Sequence, residues 1–234
     1  MHDSLPDSAG SQTKPPGASR LVRQVWYTDE RLESLLDMEV IVRSIIVSEF
    51  VSLDNVIQAP GHAEEDTEGG FTHGGWTGPF WHDDIGRHFF EEMGKCDALL
   101  LGRKTWQIHG GAFEPMPAGD PFGDLMNTKP KYVVSTTLTT PSAWRNSTVI
   151  RGNVVEDIRT LKAQPGQNIL IDGSSVLVHT LAEHDLIDEY SLWVYPIILG
   201  SGKKLFPQGL HIPLRLIESR PLPSGVVLMH YARA

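Results

Sequence analysis

Hydrophobic and polar positions alternate along this chain in blocks that predict strands and helices in turn. Residues 40–55 are β-branched and almost continuously apolar in their middle, which is typical of a strand buried on both faces. Residues 83–94 instead place apolar side chains at spacings of three and four, which predicts a helix. The folded part of the chain is therefore expected to begin with a strand and to reach this helix after a long connection.

The same alternation continues to the C-terminus. Strands are predicted at residues 98–101, 132–135, 168–172 and 188–200, and helices from Arg103 onward, at residues 153–163 and at residues 174–183. Residues 214–234 predict two more strands joined by a Pro-Leu-Pro-Ser-Gly turn. Strands that alternate with helices predict an α/β fold of three layers, α/β/α, around a mixed, mostly parallel sheet with a C-terminal antiparallel hairpin.

The N-terminal part of the chain does not follow this pattern. Residues 1–20 are rich in Ser, Pro, Gly and Asp, a composition that predicts disorder because it buries too little apolar surface. Leucines within residues 28–37 share one helical face, so a short appended helix is also predicted. An alternative is that the protein starts at Met38. We assign residues 1–37 to a disordered or partly helical extension and residues 38–234 to the folded domain.

A long polar loop, rich in glycine, is predicted over residues 59–82. Trp76, Phe80, Trp81 and His82 crowd its end. These side chains either form a wall that stacks on a planar substrate or fold the loop onto the core. The sequence leaves both interpretations open.

Charge and composition exclude several classes of function. The net charge of −9 argues against bulk binding to nucleic acid or to an anionic membrane surface. The single cysteine, Cys96, permits no intrachain disulfide and fits a reducing compartment. No apolar run is long enough to span a bilayer, and the first twenty residues lack the apolar core of a secretory signal. We therefore expect a cytoplasmic protein.

Known cofactor and metal motifs are largely missing from the sequence. His62 and Glu64 have the spacing of a zinc deaminase signature, but that chemistry also needs a Pro-Cys-x-x-Cys partner, so no metal site is predicted. Neither Gly-x-Gly-x-x-Gly nor Gly-x4-Gly-Lys-Ser/Thr occurs. The usual dinucleotide fold and the P-loop NTPases are therefore not supported.

One predicted strand end combines a glycine with two cations and a hydroxyl. Gly102, Arg103, Lys104 and Thr105 follow an apolar strand and open a predicted helix. In an open parallel sheet, ligands bind beyond the carboxyl ends of the strands, and a helix N-terminus favours an anion there. Arg103 adds a planar fork suited to phosphate. The motif predicts a phosphate contact, with a solvated surface as the alternative.

Two more strand ends carry small or hydroxyl residues. They are Ser135 and Thr136 after one strand, and Asp172, Gly173, Ser174 and Ser175 after another. Small residues let a ligand approach the backbone closely. The alternative is that Ser174 simply caps the helix that follows.

In chain order, these segments resemble the dihydrofolate reductase-like superfamily. The resemblance is greatest to the reductase domain, the C-terminal one, of the bifunctional riboflavin-biosynthesis deaminase–reductase. The matching segments are residues 48–55 (SEFVSLDN), 97–106 (DALLLGRKTW), 131–138 (KYVVSTTL), 168–181 (ending in DGSSVLVHTL) and 186–206 (ending in ILGSGKKLF). The deaminase half of those enzymes has no counterpart in this chain.

The resemblance implies that the chain binds NADPH across its strand ends. It places the adenosine 2′-phosphate at Arg103 and Lys104, and Ser135 and Thr136 beside that phosphate. The pyrophosphate is implied to lie at Thr105 and at Gly173, Ser174, Ser175 and Val176, with Gly102 in the turn. The related domains commonly pair through sheet edges, so a homodimer is also implied.

The chain departs from the family pattern at two turns. The family usually has Leu-Asp-Gly after the first strand, whereas this chain has Leu53, Asp54 and Asn55. Asparagine tolerates the left-handed backbone that such a turn needs. Asp172 stands at the pyrophosphate turn, where the family usually has Gly-Gly. We expect its carboxylate to face away from the pyrophosphate or to lower the affinity for it.

The resemblance implies an NADPH-dependent reductase of a small-molecule substrate, with 5-amino-6-(5-phosphoribosylamino)uracil as the named candidate. Asp54 is the predicted substrate-orienting residue, and Asp84 and Glu49 are candidate proton donors. Arg87 and Lys203 are candidate cations for a ribose phosphate. The alternatives are a dihydrofolate or pteridine reductase, in which Asp84 would bind the ring, and a non-catalytic NADP-binding module.

Overall fold

The computed structural model describes residues 43–234. The disordered or helical extension predicted for residues 1–37 lies outside the described residues.

Eight strands form a single sheet in the described part of the chain. Their bounds are β1 Ile45–Ser52, β2 Cys96–Gly102, β3 Lys131–Val134, β4 Ser147–Ile150, β5 Asn168–Ile171, β6 Glu189–Tyr195, β7 Leu214–Pro221 and β8 Val227–Arg233. The order across the sheet is β4-β3-β2-β5-β1-β6-β8-β7. The six strands from β4 to β6 are parallel, whereas β8 pairs antiparallel with both β6 and β7. The prediction of a mixed, mostly parallel sheet with an antiparallel hairpin at its end is confirmed.

Five α-helices connect the strands in residues 43–234. They are α1 Asp83–Gly94, α2 Arg103–Phe113, α3 Pro121–Thr128, α4 Val154–Lys162 and α5 Ser175–Glu183. Two of them begin at side-chain caps that the sequence supplies: the Asn153 side chain accepts from the Glu156 N–H, and Asp120, which precedes Pro121, accepts from the N–H groups of Phe122 and Gly123. None of the helices in the described residues is long and apolar enough to cross a membrane.

Alternate residues of the buried strands face two different cores. On β2, Ala98 and Leu100 pack with α4 and α5, whereas Leu99 and Leu101 pack with α1, α2 and α3. Each of these four side chains is at most 1% exposed. Because both faces of the parallel strands are covered, the carboxyl ends of β1, β2 and β5 are left as the open edge of the layered structure.

Element boundaries differ from the sequence predictions where turn chemistry overrides the apolar pattern. Strand β1 ends at Ser52, since Asn55 enters a turn with φ of 73°, the left-handed conformation expected for it. The side chain of Asn55 then bonds the backbone of Phe206 in both directions. Helix α3 and strand β4 were not predicted, because each is short and its apolar pattern is weak.

Candidate functional site

The ends of β2 and β5 meet at two glycines that leave no room for side chains. A Cβ added to Gly102 would overlap the hydroxyl of Ser174, and one added to Gly173 would lie 2.6 Å from Thr105 Oγ1. Gly173 also has φ of 84°, a backbone conformation that side chains disfavour. The Gly102 N–H donates to the Gly173 carbonyl at 3.4 Å. Two motifs 70 residues apart in the chain therefore form one surface.

Beside these turns lies a narrow polar cleft. We call it the polar cleft, and its lining includes Lys104, Thr105, Gly173, Ser174, Ser175, Asp66 and Lys203. The N-termini of both α2 and α5 border it, so unpaired N–H groups and two partial positive charges face the same space. The side chain of Ser174 makes no capping hydrogen bond, which leaves its hydroxyl to the cleft rather than to its own helix.

The cations of the cleft are partly matched by carboxylates. Lys104 Nζ lies 3.2 Å from Asp66 Oδ1, and Lys203 Nζ lies 2.7 Å from Asp66 Oδ2. The single buried carboxylate of Asp66 is thus shared by two ammonium groups. Arg103 is exposed, and its guanidinium donates to Gln107 at 3.2 Å one turn along α2. Its charge is opposed by no carboxylate among the described residues.

Five predicted cofactor contacts do not line the polar cleft. Gly102 and Arg103, at the start of α2, are two of them, and the other three are Ser135, Thr136 and Val176. Ser135 Oγ accepts from the N–H groups of Thr137 and Leu138 at 3.2 and 3.0 Å, so it caps its own turn. Thr136 is exposed, and Val176 is 71% exposed in the first turn of α5. None of the three lines the cleft. Their roles toward a 2′-phosphate or pyrophosphate stay predictions.

A second, larger cavity opens on the other side of the same strand ends. We call it the aromatic cavity; its volume is about 520 Å³, and its apolar lining consists of Phe50, Trp81, Ile85, Phe89, Phe113 and Phe122. Gly86 allows Trp81 to lie against α1, since a Cβ there would be 3.3 Å from the indole ring. The size suits a ligand of one or two rings.

The aromatic residues of the long loop were predicted either to form a wall for a planar substrate or to fold the loop onto the core, and the structure contains examples of both. Trp76 is buried and packs edge-on against Tyr195, as does Phe80, so both fold the loop onto the core. His82 caps α1 by accepting the Asp84 N–H at 3.2 Å. Trp81 is 53% exposed and forms a wall of the aromatic cavity.

Four ionisable side chains line both the polar cleft and the aromatic cavity. They are Glu49, Glu65, His109 and Asp172. Glu49, near the end of β1, is 7% exposed, and its Oε1 has no hydrogen-bond partner in the described part of the chain. Burial, reinforced by the charges of Asp172 and Glu65, raises the pKa of Glu49 well above its ordinary value.

Asp172 faces His109 rather than solvent. Its Oδ2 lies 3.5 Å from His109 Nδ1, and its side chain is 22% exposed. Burial raises the pKa of Asp172 and nearby carboxylates add to this rise, while the charge of His109 opposes it. Asp172 lines both spaces, and the expectation that its carboxylate faces away from a pyrophosphate or lowers the affinity for it stays a prediction.

Asp54 lies in a different environment from Glu49, although Glu49 is near the end of β1 and Asp54 follows it by five residues. Its carboxylate accepts from the Ser52 hydroxyl at 2.6 Å, and from the N–H groups of Leu199 and Gly200 at 3.0 and 2.9 Å. Burial alone would raise the pKa of Asp54, but these bonds and Lys204 lower it strongly. Asp54 lines neither space, and its contacts are those of a residue that anchors the loop after β6.

The remaining predicted residues form ion pairs outside the aromatic cavity. Asp84 Oδ1 lies 2.6 Å from Arg87 Nη1 on the first turns of α1, and neither residue lines a cavity of the site. Lys203 lines the polar cleft but is held by Asp66 and by Glu68, at 2.7 and 2.6 Å. The roles of these residues as proton donor or phosphate ligands stay predictions.

Sequence reasoning missed His109 and Glu65. His109 lies four residues after Thr105 on α2, so the helical face that carries the predicted phosphate contact also carries this imidazole. His109 could therefore have been predicted from the helical spacing. No sequence pattern indicated Glu65, because only the fold of the long loop brings it to the site, where its Oε2 accepts from the N–H groups of Gly61 and His62.

Comparisons with known proteins agree with this architecture. Residues 43–228 match the family model described as RibD C-terminal domain. The uncharacterized protein YyaP of Bacillus subtilis is 31% identical over 61% of this chain and 77% of its own, and YwjB of the same organism is 32% identical over 59% and 74%.

Three solved structures share the fold of this chain. A putative riboflavin biosynthesis protein from Shewanella sp. PV-4 has a TM-score of 0.59 and 24% identity, covering 82% of this chain and 99% of its own. A pyrimidine reductase-like protein from Corynebacterium diphtheriae has a TM-score of 0.56 at 15% identity, covering 83% and 94%. Dihydrofolate reductase from Enterococcus faecalis, complexed with NADP(H) and RAB-propyl, has a TM-score of 0.52 at 16% identity, covering 81% and 96%.

These structures confirm the predicted dihydrofolate reductase-like fold. Because the family model spans nearly all of the described residues, and because the strand-end motifs meet as that fold requires, the chain belongs to the RibD C-terminal domain family.

Proposed function

We propose that this protein is an NADPH-dependent reductase of a small nitrogen heterocycle. The observation that carries the proposal is the convergence of two strand-end turns and two helix N-termini on one polar cleft, with an aromatic cavity directly beside it. Membership of the RibD C-terminal domain family supports an oxidoreductase. The fold shared with an NADP(H)-complexed dihydrofolate reductase supports the choice of cofactor.

The residues in and beside the polar cleft fit a dinucleotide. Gly102 and Gly173 let the two turns approach each other, since a Cβ on either would strike Ser174 or Thr105, and Thr105, Ser174 and Ser175 would bond a pyrophosphate. Arg103, whose charge is not already neutralised, would hold the 2′-phosphate that distinguishes NADPH from NADH. NADPH, when bound, supplies a hydride.

Glu49 is the proton donor of the proposed reaction. It lies where the polar cleft and the aromatic cavity meet, and its buried Oε1 has no partner in residues 43–234. Because burial and neighbouring charges raise its pKa, it keeps a proton at a pH where an exposed glutamate has lost it. Asp172 and Glu65 sustain this state by their own negative charge.

Two substrate types follow from the family and the fold. One is 5-amino-6-(5-phosphoribosylamino)uracil, the substrate implied by the resemblance, and the other is a dihydrofolate or pteridine ring. The aromatic lining of the cavity favours a planar ring in either case. A non-catalytic NADP-binding module remains the rival to both, and a homodimer in the cytoplasm stays a prediction.

The experiment that tests the cofactor is a titration of the purified protein with NADPH and with NADH, followed by nicotinamide fluorescence. We expect NADPH to bind at least tenfold more tightly, and Arg103→Ala to remove most of that preference. Arg159→Ala, which removes an exposed arginine paired only with Glu156 on α4, is the matched control and should change neither affinity. Absence of binding by either nucleotide would remove the reductase proposal.

A further inference from the structure

The polar cleft, which is proposed to hold a diphosphate, is lined by more carboxylates than cations. The carboxylates belong to Glu49, Glu65, Asp66 and Asp172, and the two ammonium groups belong to Lys104 and Lys203. Both lysines already lie against the Asp66 carboxylate, at 3.2 and 2.7 Å. Three acids are therefore left to face the space, and their charge opposes an entering diphosphate unless protons offset it.

Asp172 is the acid nearest along the chain to the turn that is proposed to hold the pyrophosphate. It directly precedes Gly173, where an added Cβ would lie 2.6 Å from Thr105 Oγ1. Its one ion-pair partner among residues 43–234 is His109. The charge of Asp172 is therefore offset either by this imidazole or by a proton on the carboxylate itself.

His109 is placed to supply that offset. It lies one helical turn after Thr105 on α2, lines the polar cleft, and has its Nδ1 3.5 Å from Asp172 Oδ2. This nitrogen is buried and has no hydrogen-bond partner in the described part of the chain. Phe113 and Trp144 pack edge-on against the ring and fix its position. Since an imidazole takes up or releases a proton near neutral pH, the charge of the pair can change without movement of the backbone.

The other charged groups around this pair act mostly in the same direction. Glu49 of β1 and Glu65 of the long loop line the same cleft. Burial raises the pKa of Asp172, and the charges of Glu65 and of Glu92 on α1 add to this rise, while His109 opposes it.

Two lysines approach the same helix from other sides. Lys104 on α2 lies against Asp66, and Lys131 lies behind Trp144, 4.5 Å from the centre of that ring. A diphosphate would add to the excess of negative charge at the cleft, and a nearby negative charge always increases the affinity of a group for a proton.

We propose that His109 is a further cofactor-binding residue, and that the dinucleotide binds together with a proton that the His109–Asp172 pair takes up. With this proton on the imidazole, the pair has no net charge, so the diphosphate no longer meets an unopposed Asp172 carboxylate. The proton comes from solvent and returns to it when the dinucleotide leaves. This inference rests on the proposed function, and it adds that the affinity for NADPH falls as pH rises.

Calorimetry counts the proton directly. The full-length protein is titrated with NADPH at pH 7.5 in two buffers of different ionisation enthalpy, and nicotinamide fluorescence gives the affinity from pH 7 to 8.5. The 2′-phosphate of the cofactor titrates at about pH 6, below this range. We expect uptake of about 0.5–1 proton, and at least about a fivefold loss of affinity across the range, since one proton gives at most about tenfold per pH unit.

The two ways of failing are distinguishable in the wild type. If NADPH binds without proton uptake and with a flat pH profile, the inference is overturned and the proposed function stands. If NADPH binds at no pH, both are overturned.

Variants assign the proton to the pair. In His109→Gln, which has no titratable nitrogen, we expect a flat profile and an affinity at pH 7 close to that of the wild type at pH 8.5. In Asp172→Asn we also expect a flat profile, but with tighter binding than the wild type at pH 8.5, because the opposing charge is gone. His211→Gln and Asp157→Asn, both at exposed positions, are the matched controls and should keep the wild-type profile.

A purely structural role of His109 and Asp172 would give a different result. Both variants would then weaken binding equally at every pH and keep the wild-type slope, and this outcome overturns the inference. A slope that survives in His109→Gln and disappears in Glu49→Gln assigns the proton to Glu49, and it overturns the inference as well.

Discussion

The polar cleft and the aromatic cavity share one wall, yet they are built differently. Half of the residues that line the cleft come from two short segments, residues 104–109 and 172–175, and the rest come from β1, the connection after it and Lys203. The cavity consists of side chains from β1, the long loop, α1, α2 and α3, which are separated by most of the domain. Backbone recognition depends on local sequence, whereas side-chain recognition depends on how distant elements pack.

This difference has a chemical counterpart. In the polar cleft, Lys104 and Lys203 share the Asp66 carboxylate, and two helix N-termini add partial positive charge, which suits a diphosphate. The aromatic cavity shares Glu49, Glu65 and Asp172 with the cleft, but no lysine or arginine of the described residues lines it, and apolar rings form its walls. The two spaces therefore differ in their cations, their helix N-termini and their apolar surface, and not in their shared carboxylates.

The largest expected effect comes from the residue on the shared wall. We expect Glu49→Gln to lower turnover at least about a hundredfold, because an amide cannot donate the proton that a positioned acid supplies. The affinity for NADPH should change less than threefold. Steady-state oxidation of NADPH at 340 nm with a ring substrate gives the first quantity, and fluorescence titration gives the second. Loss of NADPH binding instead would mean that Glu49 serves the cleft and not the cavity.

A change beside the polar cleft should have the opposite effect, which is a loss of NADPH affinity while the aromatic cavity stays intact. Gly102→Ala pushes a Cβ into Ser174, so we expect NADPH affinity to fall about thirtyfold, or about 2 kcal/mol. Binding of a neutral ring in the aromatic cavity should persist. Gly111→Ala on the same helix meets no atom within 4 Å and should leave NADPH affinity unchanged while stabilising α2 slightly. Equal behaviour of the two variants would contradict the close approach of the two turns.

Asp54 lies just past the end of β1 and lines neither the polar cleft nor the aromatic cavity. Its substitution should therefore have a different effect from that of Glu49. Asp54→Ala removes the acceptor of the Leu199 and Gly200 N–H groups, so we expect about 1–2 kcal/mol of destabilisation by denaturant unfolding. The pKa of Asp54 is lowered in the folded state. Its contribution is therefore present above the unfolded pKa and is lost as pH falls through the folded one.

Turnover of folded Asp54→Ala decides between the two roles of this residue. A residue that only anchors the loop after β6 should leave the chemical step within about threefold of wild type. A fall as large as that of Glu49→Gln would instead support the substrate-orienting role that the sequence predicts for Asp54.

The smallest effect is a gain of stability at the functional site. The pKa of Glu49 is higher in the folded than in the unfolded chain, so stability is lost as pH rises from the unfolded pKa toward the folded one. Glu49→Gln removes this loss, and we expect Tm to rise by about 2–4 °C at pH 7–8. No gain in Tm is expected below pH 4, where the Glu49 carboxyl of the wild type is protonated and is as neutral as the glutamine of the variant. Thermal unfolding across this pH range measures it, and a lower Tm at pH 7–8 would contradict an uncompensated carboxyl at Glu49.

The sequence by itself determined the layered α/β fold and the polar cleft. A continuous apolar run located β2, because both faces of the parallel strands are buried, and helical patterns located α1 and α5, all to within about two residues. The motif from Gly102 to Thr105 was readable because its residues are consecutive and its chemistry is local. Short elements such as α3 and β4 escaped, since eight and four residues carry too little periodicity.

Only the tertiary structure decided the environments of the acids. The sequence predicted Asp54 to orient the substrate and Asp84 and Glu49 to be candidate proton donors, and packing placed the three side chains in different surroundings. Asp54 is satisfied by backbone N–H groups, Asp84 is paired with Arg87, and Glu49 is buried with its Oε1 unpartnered in the described part of the chain. The physical reason is that desolvation and charge at a side chain depend on neighbours distant along the chain. His109 and Asp172, 63 residues apart, meet at 3.5 Å only because β2 and β5 are adjacent in the sheet.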